Sequence, residues 1–211
     1  MNPLSRSISR LAMLAFAFLL TSSPVEAQRV PQRGARIAIG LEFANGRMPL
    51  FTGDATPRPK ARESFVVGGR LSVDVGVARH LALEFAFASD AYIPRDVSVY
   101  DFVLAPRTRF FDRRDSREWY LRPLVGAAFL EPSRTHVGLS AGLGFGLRRQ
   151  VTSQYDAFLE IGYRLRWFRD LDPGFAADTW RGYTSSSGER PDAMFCFLGI
   201  TAGIGISFGD P

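Results

Sequence analysis

From residue 35 to residue 208 the apolar residues alternate with small or polar ones through eight successive segments, two residues to the period. That period belongs to extended strands with two unlike faces, and it leaves little of the chain for helices. Ile37, Ile39, Leu41 and Phe43 stand against Arg36, Ala38, Gly40 and Glu42 in the first segment. Phe65 to Val77 follows, with Val67, Leu71 and Val73 on one face and Val66, Arg70 and Asp74 on the other. The third segment sets Leu81, Leu83, Phe85 and Phe87 against Ala82, Glu84, Ala86 and Ala88. The fourth sets Tyr100, Phe102 and Leu104 against Val103, Ala105 and Arg107; Pro106, which has no N–H to give, is expected to kink or interrupt it. Later segments place Leu121, Val125 and Phe129 against Arg122 and Gly126, then Val137 to Leu147 against Gly138 to Arg148. The last two set Leu159, Ile161, Tyr163 and Trp167 against Phe158, Glu160, Arg164 and Arg166, and Cys196 to Phe208 against Phe197, Gly199, Thr201 and Gly203.

The two faces identify the solvent. One face carries the bulky apolar side chains, and the other is crowded with Gly, Ala and Ser among a few charges. Small residues cannot cover an exterior but suit a tight lumen, so the large apolar side chains point outward, where lipid solvates them. Apolar-out, polar-in alternation over about 10 residues per strand is the pattern of a membrane barrel. Closure also leaves no backbone group unpaired in hydrocarbon. The reading is an all-β, eight-stranded antiparallel up-and-down transmembrane β-barrel. Connections alternate between short turns, at 78–80 and about 150–155, and long loops, at about 44–64 and 168–193, as periplasmic turns and external loops do. Trp119, Tyr120, Tyr163, Trp167 and Phe208 lie near segment ends, where an aromatic girdle belongs.

Residues 1–27 read as a secretory signal peptide. Arg6 and Arg10 precede an apolar run from Leu11 to Leu20, and Val25-Glu26-Ala27 offers a small-residue cleavage site. Residues 28–211 form the barrel domain, and the expected location is the outer membrane. A single cysteine excludes a disulfide framework and a multi-cysteine zinc site, and two histidines exclude a three-histidine metal site. No cofactor is expected. The 26 basic residues are nearly matched by 21 acidic ones, and only Lys60 is a lysine, so a nucleic-acid partner is not expected.

The segment WYLRPLVGAAF (Trp119 to Phe129), followed by LSAGLGFGLRRQVTSQYDAFLEIGYRLRWF (Leu139 to Phe168), resembles the small outer-membrane β-barrel family of OmpA-like and OmpX-like domains. The likeness runs from about residue 35 to 208 and rests on glycine and aromatic alternation, so it implies a fold and not an activity. In the family a terminal strand ending in Phe is read by the barrel-assembly machinery. Phe208 holds that place here, with Gly209-Asp210-Pro211 after it.

Eight strands enclose an interior that side chains can fill. The expected lumen holds Arg36, Arg70, Arg122, Arg164 and Arg166 with Glu42, Asp74, Glu84 and Glu160. Charges so confined are costly unless paired, so these residues are expected to form an Arg–carboxylate network. A hydrolase triad is not expected. Ser140 lies four residues from His136, about 13 Å at strand rise, too far for contact. In the loop 168–193, Arg169, Trp180, Arg181 and Tyr183 are candidates for an external surface. That surface is either adhesive or set against the phosphates of lipopolysaccharide. The sequence thus favours a non-enzymatic, monomeric barrel with a plugged lumen, in outer-membrane lipid and lipopolysaccharide. The alternatives are a narrow pore or carrier of a small apolar ligand and, less favoured, an enzyme modifying lipid A.

Overall fold

A computed structural model describes residues 34–51, 62–93, 97–111, 117–131, 136–180, 183 and 190–208. Eight long strands follow one another around a closed wall: β1 (Ala35–Met48), β3 (Arg62–Ala78), β4 (Leu81–Ile93), β5 (Val97–Phe111), β6 (Arg117–Glu131), β7 (His136–Gln150), β8 (Tyr155–Phe168) and β9 (Asp192–Phe208). A two-residue strand, β2 (Leu50–Phe51), continues along β9 once Pro49 has broken β1. Each strand pairs antiparallel with the next, and β1 closes the wall against β9 from Ala35↔Phe208 to Arg47↔Cys196. Residues 1–33, which include the expected signal peptide, lie outside the described residues.

The strands run 13 to 17 residues, longer than the roughly 9–11 that cross a bilayer. That surplus divides the barrel in two. Toward the end that carries Ala35 and Phe208, here the near end, the outward face is apolar: Ile39, Val77 and Ile204 are 59%, 59% and 60% exposed. Water would not tolerate so continuous an apolar surface around a monomer. Toward the far end the faces invert. Asn45, Arg47, Glu63 and Glu131 point outward, while Met48, Val66, Val97, Val99, Leu130 and Phe195 are buried inside.

The inversion accounts for one departure from the sequence reading. Residues 44–48 were expected in a loop because Asn45 and Arg47 break the apolar pattern. They stay in β1, in register with β3 down to Met48↔Arg62. Tyr120 also departs from expectation. It is buried in the lumen beneath Arg107 rather than in a girdle, because it shares the inward face of β6 with Glu118 and Arg122.

Pro106 does not end β5. It remains in register with Leu83 of β4. On the β6 side pairing stops after Leu104↔Val125 and resumes at Thr108↔Leu121, skipping the row where Pro106 would meet Pro123. Two prolines without N–H groups face each other there, so the interruption is confined to one side of the strand.

Candidate functional site: the lumen and its cap

The lumen is filled in part by large inward side chains of β8 that lie over small residues of its two neighbours. Phe158, Glu160, Arg164, Arg166 and Phe168 on β8 lean over β7 and β9, whose inward residues include Gly144, Gly146, Gly203 and Gly205. The glycines create the room. A Cβ on Gly144 would sit 2.8 Å from Glu160 Cδ, and one on Gly205 2.5 Å from Arg36 Nε.

Into that space the described residues place seven arginines and eight carboxylates that pair with one another, a nearly neutral interior. They form three connected tiers. At the near end Arg36 holds Asp156 through Nε at 2.7 Å and Nη2 at 2.5 Å, and reaches Asp74 at 2.8 Å. Arg107 meets Asp74 at 3.0 Å, and Arg148 pairs with Glu118. In the middle Glu160 accepts from Arg70 at 2.8 Å and from Arg122 at 2.5 and 2.9 Å; Arg122 also reaches Glu84 at 3.1 Å. Above them Arg164 spans Glu42 at 3.3 Å and Asp101 at 3.0 Å. Arg166 donates to Asp101 through Nε at 2.9 Å, pairs with Asp90, and donates to the Tyr92 hydroxyl at 2.7 Å.

Aromatic rings separate the tiers and stack on the guanidinium groups. Phe158 lies between Arg36 and Arg70, at 5.2 and 5.3 Å, and Phe197 lies 4.8 Å from Arg166 and 5.3 Å from Arg164. Such contacts are worth about 2 kcal/mol or more where desolvated. Between Arg36, Asp74, Arg107 and Arg148 about 20 Å³ is left, the space of a single water.

All nine lumen charges named from the sequence lie inside this assembly. Asp90, Asp101, Arg107, Glu118, Arg148 and Asp156 belong to it too and were not named. The signal for them was present: each continues the inward alternation of its strand, as Asp90 continues Glu84, Ala86 and Ala88.

The far end is closed by an apolar cap. Asp172 starts helix α1 (Pro173–Thr179), its carboxylate accepting from the Gly174 and Phe175 N–H groups at 2.9 and 3.2 Å, with proline at the first helical position. Asp170, at φ 52°, turns the chain inward before it. Leu171, Ala176 and Trp180 pack with Phe168, Phe195 and Leu130 in one buried cluster. The Trp180 indole donates to the Met48 carbonyl at 2.7 Å.

The cap corrects the expectation that this loop presents Trp180 and Tyr183 outward. Both are buried, because the mouth they fill is itself apolar. Arg169 is exposed, 3.9 Å from Asp192, and Arg181 lies outside the described residues. His136 stacks on Phe175 at 6.1 Å, and Ser140 is buried in register with Arg166. Replacing Trp180 with alanine is expected to free the cap without unfolding the wall. Trypsin cleavage at Arg169 should accelerate at least tenfold in detergent while the heat-dependent gel shift persists. Unchanged cleavage would mean that the indole does not anchor the loop.

No family model and no curated protein matches the chain. Among solved structures it is similar to the outer membrane protein OprG from Pseudomonas aeruginosa, with a TM-score of 0.51 and 12% identity over 84% of this chain and 97% of that one. The fold is that of a small eight-stranded outer-membrane β-barrel. The barrel is also similar to Ail, the attachment invasion locus protein of Yersinia pestis, at 15% identity over 83% of this chain and 99% of the other, with a TM-score of 0.41. A third similar structure is Neisserial surface protein A, at 13% identity over 80% of this chain and 97% of the other, with a TM-score of 0.44.

Proposed function

We propose that the chain is an integral outer-membrane protein, exported by residues 1–27, that neither conducts nor catalyses and acts through the surface above its apolar belt. The observation that carries this reading is the pairing of an apolar exterior with a lumen closed twice. Three tiers of paired charges fill it, and an apolar cap seals one mouth. A conducting path needs a continuous wet channel, and the space between the charges of the near-end tier holds about one water. The partners are outer-membrane lipid and lipopolysaccharide, with the assembly machinery engaged during insertion.

Refolding into detergent micelles tests the premise. The expected result is a faster-migrating unboiled band with β-type circular dichroism, and no single-channel steps after transfer to a planar bilayer. A chain folded and soluble in buffer alone would overturn the membrane reading. Steady conductance steps would overturn the plug and favour the narrow pore.

A further inference from the structure

The paired charges of the lumen do not balance, and the surplus has an address. The near-end tier sets Arg36, Arg107 and Arg148 against Asp74, Glu118 and Asp156. The middle tier sets Arg70 and Arg122 against Glu84 and Glu160. The upper tier has only Arg164 and Arg166 for Glu42, Asp90 and Asp101. All five of those side chains are buried, and Val66, Tyr92 and Met48 close the next rows toward the far mouth. A carboxylate without its own counter-charge is far costlier there than a neutral carboxylic acid.

The register brings two of the three carboxyl groups together. Glu42, Gly68 and Asp90 form one inward row across β1, β3 and β4, and the middle residue has no side chain. Asp90 Oδ1 lies 1.8 Å from where a Gly68 Cβ would be, and it has no hydrogen-bond partner. One guanidinium, that of Arg164, reaches Glu42 Oε2 at 3.3 Å and Asp90 Oδ2 at 3.5 Å, so the two groups converge over Gly68. Around Glu42 stand Arg70 on β3, Thr201 on β9, Tyr92 on β4, Asp101 on β5, and Arg164 and Arg166 on β8. Each of those arginines is engaged elsewhere: Arg70 by Glu160 at 2.8 Å, Arg164 by Asp101 at 3.0 Å, and Arg166 by Asp101 and Asp90. Two carboxyl groups that share a site hold one proton between them, which turns repulsion into a hydrogen bond.

We propose that the folded barrel binds one proton in the upper tier, on Glu42, whose carboxylic acid donates to Asp90 Oδ1. The proton comes from water as the chain folds, because a glutamate in the unfolded chain is ionised above about pH 4.3. Folding therefore takes up one proton at neutral pH, and the folding equilibrium constant falls about tenfold per pH unit until the tier releases it.

Glu42→Gln keeps the shape of the acid, fixes it neutral and offers an amide N–H in place of the hydroxyl. The full chain and this variant are refolded into neutral detergent micelles, with gel migration verifying the fold, and urea unfolding is followed at pH 5 and pH 7. Between the two, the folding constant of the parent relative to the variant is expected to fall about a hundredfold. Titration of His80 and His136 cancels in that comparison. Infrared spectra at pH 7 should show a carboxylic-acid carbonyl band in the parent that the variant lacks. A stability gap that does not change with pH, or no such band in the parent, overturns the proposal. So does a band that persists in Glu42→Gln, which would put the proton on another carboxylate, or a variant that fails to fold, since a neutral isostere of the acid has to be accepted.

Discussion

Substituting Glu160 with alanine should destabilise the barrel by about 3–5 kcal/mol, the cost of removing one partner from a buried ion pair. Glu160 accepts from both Arg70 and Arg122. Its loss leaves two guanidinium groups side by side in a space that excludes water, with Glu84 as the nearest acceptor left to Arg122. Glu160→Gln keeps the volume and one acceptor oxygen, so it should fall between the parent and the alanine variant. Glu63→Ala on the outer wall removes a carboxylate from an exposed pair with Arg47 that water already screens, and no measurable change is expected. Urea midpoints in micelles, read by tryptophan fluorescence together with gel mobility, order the three. Equal midpoints for the parent and Glu160→Ala would show that the middle tier does not hold the wall in register.

The tiers also bear on the alternative of a pore. A gated path would need charges of one sign facing an open route, as rings of like charge do in selective channels. Here each carboxylate in the middle and upper tiers pairs with at least one guanidinium group of another strand, as Asp101 does with Arg164 and Arg166. Pairs that cross the lumen tie β8 to β3, β5 and β6, so opening a route means breaking several at once. The cap is a second barrier of different chemistry. Removing Trp180 alone is therefore expected to expose the mouth without producing conductance.

The alternation in the sequence was enough to place β3, β4, β7, β8 and β9 and to sort their inward from outward residues. It carried the lumen charges because an arginine at position 164 or 166 has only the inside to occupy while Leu165 and Trp167 face out. What it did not carry was height along the barrel axis. A strand leaving the bilayer enters water, its outward residues become polar and its inward ones apolar, and the pattern read as membrane strand ends early. Asn45 and Arg47 were lost to a loop for that reason, and Asp90 fell just past the end assigned to its segment. The cap was illegible for a related cause. Trp180 and Tyr183 stand among Arg, Asp and Glu, and nothing in one sequence distinguishes an aromatic buried by a distant strand from one displayed on a loop. The donor–acceptor pair between Trp180 and Met48 spans 132 residues.

A stronger test of the closed wall lies in one glycine. Gly203 of β9 faces Gly40 of β1 across the pairing that closes the barrel. A Cβ at Gly203 would come within 2.1 Å of the Ile39 carbonyl oxygen, 2.6 Å of the Phe158 ring and 2.7 Å of the Gly40 Cα. Phe158 can turn only by giving up its place between Arg36 and Arg70, and the β1 backbone can retreat only by lengthening the hydrogen bonds of the seam. Gly203→Ala is expected to cost about 3 kcal/mol or more, the upper end for overpacking a filled interior. Gly162 supplies the contrast. It also faces inward, yet its added Cβ would meet nothing closer than 3.6 Å, so Gly162→Ala should stay within about 0.5 kcal/mol of the parent. If both variants lose stability equally, the lumen demands small residues throughout. If only Gly203→Ala does, the demand belongs to the seam between β1 and β9, where any loss of pairing exposes two strand edges to lipid and the closed barrel ceases to be soluble there.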